Sequence, residues 1–195
     1  MKKGFSEKIN DSAFERYKKN SNKYSLFFAL SLCLISVLSF YFYGENSSEM
    51  DNPQAIYIGV FIGAIFIFIA LIQILQRLKS KTWDGKVIDK KIEHKQQKKY
   101  SSGNGFFKQK YIENKIEYII IIKRDDGKNH TIITENDDTL FNYYKIGDLV
   151  RHHKGLNTLE KYDKTEDKII FCNACASLND INDDFCHRCG APLLK

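Results

Sequence analysis

Two uncharged stretches, Tyr24 to Gly44 and Asn52 to Gln76, interrupt a chain otherwise rich in lysine and acid. About 20 apolar residues at a rise of 1.5 Å cross the roughly 30 Å hydrocarbon core of a bilayer. FFALSLCLISVLSFYFY and AIYIGVFIGAIFIFIALIQIL therefore predict two spanning helices, over 24–43 and 55–75, joined by the short GENSSEMDNP. Neither stretch carries a polar stripe, which sets them apart from the half-buried helices of a soluble core. The first ends in Phe40, Tyr41, Phe42 and Tyr43 rather than in small residues, so cleavage as a signal peptide is not expected.

After residue 80 the pattern changes to short alternating runs. Trp83 to Ile92 reads as a strand, and Ile116-Glu-Tyr-Ile-Ile-Ile-Ile-Lys is rich in β-branched residues. Asp125-Asp-Gly-Lys predicts a hairpin turn with Gly127 at positive φ, leading into His130-Thr-Ile-Ile-Thr. Asn136 to Tyr144 predicts a short helix or turn, and Ile146 to His153 and Thr158 to Tyr162 two further strands. His94 to Lys115, with Ser101-Ser-Gly-Asn-Gly inside it, reads as a long loop between the first two strands.

Charge orients the hairpin. Lys2, Lys3, Lys8, Arg16, Lys18, Lys19 and Lys23 precede the first span, and Arg77, Lys79 and Lys81 follow the second, whereas the linking turn carries only Glu45, Glu49 and Asp51. Positive flanks face the cytoplasm, which places both termini inside and the turn outside a plasma membrane. The net charge of +6 resides in these flanks, so it marks contact with anionic lipid rather than a nucleic-acid-binding domain. The segment 94–115 is a local exception. Tyr100, Phe106, Phe107 and Tyr111 stand among Lys98, Lys99, Lys108 and Lys110, a composition open to a solvated hairpin, to lipid contact or to single-stranded nucleic acid.

Within the hairpin, Ser25, Ala29, Cys33 and Ser36 place small side chains along one face of the first helix, and Gly59 and Gly63 form a G-x-x-x-G pair on the second. These faces pack within one chain or, alternatively, Gly59 and Gly63 make a homodimer seam.

At the far end, Cys172-Asn-Ala-Cys175 and Cys186-His-Arg-Cys189 are two C-x-x-C pairs ten residues apart. Each pair converges two sulfurs, and two pairs complete a tetrahedral thiolate site for zinc. Two disulfides are the alternative, but they do not persist on the reducing side of a membrane. Four sulfur ligands leave no position for substrate, so the expected metal is one structural zinc per chain. His187, inside the second pair, is superfluous as a ligand, and Cys33 reads as a small apolar residue of the first span. The stretch FCNACASLNDINDDFCHRCGAPLL resembles the small zinc ribbons at the ends of bacterial membrane proteins, with an aromatic before each cysteine pair. Ala176 stands where such ribbons often have glycine. Tyr144-Lys-Ile-Gly-Asp-Leu-Val-Arg resembles the turn that enters a strand in small OB or SH3-like β-barrels, which implies a compact cytoplasmic β domain.

The expected organisation is a basic cytoplasmic tail over 1–23, a two-span transmembrane hairpin over 24–76, a small all-β, barrel-like cytoplasmic domain over 82–168 and a zinc ribbon over 169–195. No Walker loop, Gly-x-Ser-x-Gly or His-Glu-x-x-His pattern is present, and His94, His130, His152 and His153 are dispersed, so no catalytic residues and no enzyme activity are expected. The expected function is a membrane-anchored docking or adaptor module for a protein partner. The alternative is a membrane-bound nucleic-acid-binding regulator using the same ribbon.

Overall fold

The computed structural model describes residues 3–47, 49–101 and 109–195. A single 3-10 turn, Glu7–Asn10, leads into α1, Ser12–Asn46, and α2, Gln54–Lys79, runs back alongside it. Asp11 caps α1, its carboxylate accepting the Ala13 amide at 2.8 Å. Both helices are long and apolar enough to cross a membrane. Most of their large apolar side chains face outward, among them Phe27, Leu34, Phe61 and Phe68, each at least 64 % exposed.

Against each other, the two helices bury their small residues. Ala29, Ser36, Ala55, Gly59, Gly63 and Ala70 line the seam. A Cβ on Gly63 would lie 2.6 Å from Cys33 Sγ, and one on Gly59 would lie 2.9 Å from Phe40 Cβ. The Ser36 hydroxyl donates to the Gly59 carbonyl at 3.0 Å. The glycine pair is thus occupied by α1 of the same chain, and backbones approach here because side chains are missing.

Five antiparallel strands follow: β1 Trp83–Ser101, β2 Gln109–Arg124, β3 Asn129–Glu135, β4 Leu149–His152 and β5 Leu159–Lys161, with α3, Thr139–Tyr143, between β3 and β4. Their order is β3-β2-β1-β4-β5. No ladder joins β3 to β5 among the described residues, so the expected barrel is an open sheet in its hydrogen bonding. The Asp125–Lys128 turn forms as its sequence dictates, with Gly127 at φ 84° and Arg124 donating to the Lys128 carbonyl. Val87, Ile120, Ile122, Tyr144, Val150 and Leu159 form the core on one face, closed by Tyr143 and Phe171.

Between strands one and two the structure departs from the expected loop. β1 and β2 stay in register from His94↔Ile116 to Ser101↔Gln109, so most of 94–115 is a two-stranded ribbon. β3 stops pairing at Glu117↔Glu135, and beyond that point the ribbon has no third strand. Its polar sequence suits exposure on both faces, and cross-strand pairs take the place of a core: Lys95 to Glu117 at 2.6 Å and Lys115 to Glu135 at 2.5 Å. The turn itself, with Phe106 and Phe107, and the side chains of Tyr100 and Tyr111 lie outside the described residues.

The amino-terminal segment also differs from the free basic tail expected over 1–23. The Gly4 amide donates to the Tyr162 carbonyl at 2.9 Å, and the Phe5 ring meets Tyr162 edge-on with the Arg151 guanidinium 4.0 Å over its centre. Phe14, on the first turn of α1, is 1 % exposed, in a core shared with the last 26 residues. Lys3, Lys8, Lys19 and Lys23 are exposed, while the apolar side chains of the segment hold it down.

Candidate metal centre

The four cysteines are brought together by a two-stranded ribbon, β6 Ile169–Phe171 and β7 Leu178–Asp180, paired from Ile169↔Asp180 to Phe171↔Leu178. One cysteine pair follows β6 and the other follows β7. The two turns carry the same hydrogen bonds. The Ala176 amide donates to the Cys172 carbonyl and the Gly190 amide to the Cys186 carbonyl, each at 2.9 Å. Across the turns, Cys172 N donates to Ser177 O and Cys186 N to Ala191 O. Both loops need a left-handed residue after the second cysteine, and φ is 62° at Ala176 and 69° at Gly190.

This geometry converges Cys172, Cys175, Cys186 and Cys189, whose sulfurs all lie within 4.8 Å of one another. Cys172 Sγ is 3.6 Å from Cys189 Sγ, and Cys175 Sγ is 3.6 Å from Cys186 Sγ. A tetrahedral ion bonded to four sulfurs at about 2.3 Å spaces them about 3.8 Å apart. The sulfurs are therefore placed to hold a metal ion. None of the four is in a disulfide.

Burial raises the thiol of Cys172 well above its ordinary range and that of Cys189 to about 11. Cys186 is pushed up by burial too, but hydrogen bonds from Ser177 and from the amides of Cys189 and Arg188 outweigh this and bring it down to about 6. The Ser177 hydroxyl lies 3.0 Å from both Cys175 Sγ and Cys186 Sγ. Donors aimed at sulfur favour the thiolate, which is the form a metal requires. His187 is exposed, and its Nδ1 is bonded to Asn179 Oδ1 at 2.8 Å, away from the sulfurs.

The core beneath the sulfurs is contributed by both ends of the chain. Phe14 packs among Leu156, Ile170, Ala174, Ala191, Leu193 and Leu194, with Ile9 and Tyr17 at its edge. Tyr17 lies close enough to the cluster that, after burial, negative charge on Cys175 and Cys189 is what raises its phenol. The Asn157 amide bridges these parts, donating to the Ala174 carbonyl at 2.6 Å and to Tyr17 Oη at 3.3 Å. Sequence reasoning missed Ile9, Phe14 and Tyr17. The i, i+3 spacing of Phe14 and Tyr17 after the Asp11 cap was the available signal, masked by the surrounding lysines.

A second group was not foreseen at all. Glu160, Lys161 and Lys164 are each no more than 3 % exposed. The Glu160 carboxylate accepts from the Ser6 amide at 2.6 Å, from His153 Nε2 at 2.7 Å and from Lys164 Nζ at 2.8 Å. Lys161 turns the other way, to Asp167 at 2.8 Å and the Tyr143 carbonyl at 3.2 Å. Of the remaining histidines, His130 and His152 flank the Trp83 ring at 5.1 and 5.4 Å, and His94 lies on the exposed ribbon. No nucleophile–base pair is assembled among them. No family model, curated protein or solved structure matches this chain.

Proposed function

We propose that this chain is a two-span plasma-membrane protein with both termini in the cytoplasm, and that its β sheet and cysteine unit form a rigid docking module for a protein partner at the inner surface. The metal is one structural zinc, held by Cys172, Cys175, Cys186 and Cys189. The observation that carries the reading is the continuity of α1. One unbroken helix supplies Phe14 to the core under the cysteines and then the outward-facing apolar side chains of the first candidate span.

Such a helix is a stiff tether, and a tethered module meets membrane partners at a raised effective concentration. Zinc fits the donor set, because four thiolates at this spacing suit a soft tetrahedral ion, and with every position filled by sulfur the role is structural rather than catalytic. The acidic loop and basic flanks of the hairpin support the orientation. The nucleic-acid reading gains little from the ribbon, since Lys91, Lys95 and Lys115 at its base are each paired with a carboxylate.

The test is crosslinking in intact cells, followed by purification of the full chain and of a Cys186→Ser variant. Docking predicts a defined protein partner that survives nuclease treatment and is lost from the variant. Recovery of nucleic acid in its place, with steep sensitivity to salt, overturns docking in favour of the regulator. Metal analysis of the full chain should give one zinc per molecule, and a membrane-impermeant maleimide should leave Cys175 and Cys189 unlabelled on unbroken cells.

A further inference from the structure

At the end of the hairpin nearest the β sheet, two cavities meet. The first, of about 410 Å³, is lined by Lys18 and Lys19 of α1, Arg77 of α2 and Lys154 of the β4–β5 loop, together with Glu15 and Asn157. The second, of about 360 Å³, is an apolar groove between the helices, walled by Tyr24, Phe28, Leu32, Phe66 and Ile69. Ser21 and Arg77 line both.

We infer that these form one site for an anionic phospholipid, its phosphate in the basic cavity and one acyl chain in the groove. The inference rests on the membrane-hairpin reading above and extends it. Four cations face one carboxylate, and Glu15 is engaged by Lys18. Among the described residues no carboxylate pairs with Lys19, Arg77 or Lys154. Arg77 uses Nη1 to bond Ser21 Oγ, Asn22 Oδ1 and Ser25 Oγ at 2.9 to 3.3 Å. These bonds fix the guanidinium at the mouth of the groove, and among the described residues its Nη2 and Nε hydrogens have no protein acceptor. A guanidinium with spare donors is a phosphate ligand.

The wall opposite is equally built. Lys154 N donates to Thr82 Oγ1 at 3.1 Å and Gly155 N to Ser80 Oγ at 2.8 Å, so the β4–β5 loop is fastened to the segment that leaves α2. From Ser21 to Leu32 the groove follows α1 for about 16 Å, close to half of a roughly 30 Å hydrocarbon core. The basic cavity then sits at headgroup depth on the cytoplasmic side, where basic pockets between helices recognise anionic headgroups. A soluble phosphate would leave the apolar groove unused, and a zwitterionic lipid would waste the charge.

The experiment uses the full chain, delipidated in neutral detergent, with native mass spectrometry and thermal shift as readouts. The arms are phosphatidylglycerol, phosphatidylcholine and glycerol 3-phosphate. Phosphatidylglycerol should remain bound and raise the melting temperature, with at least tenfold preference over phosphatidylcholine, and glycerol 3-phosphate should do neither. Arg77→Gln and Lys154→Gln should each reduce that preference by about tenfold. Lys154 is an exposed loop residue, so its variant should keep the parent's melting temperature in phosphatidylcholine and its metal content. Equal binding of the two lipids, equal binding of glycerol 3-phosphate, or an unchanged preference in both variants overturns the inference. Resistance to alkaline extraction from vesicles is measured in parallel. A chain that resists extraction yet shows no lipid preference sinks the lipid site alone, whereas a chain that washes out sinks the membrane reading and the site with it.

Discussion

Ala176 and Gly190 hold equivalent positions in the two cysteine turns, both left-handed, and only one of them is a glycine. A side chain in this conformation costs roughly 1–2 kcal/mol, partly offset by the greater freedom of glycine in the unfolded chain. Ala176→Gly should therefore stabilise the cysteine unit by about 0.5–1 kcal/mol. Gly190→Ala should destabilise it by a similar amount, since the added Cβ meets no atom within 4 Å and only strain is introduced. Chelator competition for the bound metal, read on the full chain, should rank the proteins in that order.

Phe14 is the apolar plug between α1 and the cysteine turns. Removing a buried phenylalanine costs about 3–5 kcal/mol, more than the lysines around it can replace. Phe14→Ala should accelerate loss of metal to a chelator and expose the backbone of 3–11 to protease, while Lys19→Ala should do neither. Phe14→Leu should lie between.

In the hairpin, Gly63 and Cys33 make a pair whose sizes are matched. Gly63→Ala drives a methyl group into Cys33 Sγ, and overpacking of this kind costs about 1–3 kcal/mol. Cys33→Ala should recover part of that loss in the double variant, because the nearest obstructing atom is gone. A thermal melt in detergent of the four members of the cycle measures the coupling, and strict additivity would remove the claim that this contact sets the helix spacing.

Trp83 is the single tryptophan of the chain and reports on two imidazoles. Burial, together with the positive charge of His152 and Arg124, lowers the pKa of His130 below the ordinary histidine value. The folded state therefore binds that proton less readily than the unfolded one. Its contribution to stability is complete above about pH 6.5 and is lost as the pH falls through the lowered value. Tryptophan fluorescence should decrease in the same window, as an imidazolium forms against the indole. His130→Asn should reduce the amplitude of the transition below about pH 6.5, with His152 still stacked on the indole, and weaken the pH dependence of stability there.

The legible parts of this fold are those whose physics is local. Two charge-free segments predict the long apolar helices, Asp125 to Lys128 predicts its turn, and the C-x-x-C pairs predict the sulfur cluster. The illegible parts depend on partners far away in sequence. Glu160 and Lys164 read as surface charges, and nothing near them announces that one acceptor site will be filled by the Ser6 amide, 154 residues earlier. The ribbon is illegible for a different reason. Lys95 to Lys98 lack the alternation that marks a half-buried strand, because neither face of this strand is buried. At the amino terminus, the lysines that precede the first apolar segment concealed Ile9, Phe14 and Tyr17 between them.

From Phe14 to Tyr43, α1 contains neither proline nor glycine, the residues at which helices bend most readily. A shaft without a hinge does not absorb rotation. If α1 spans a bilayer as proposed, a change in bilayer thickness tilts it, and the cysteine unit packed on Phe14 of the same rod must swing through an equal angle, so that its orientation to the membrane plane would follow the thickness of the lipid.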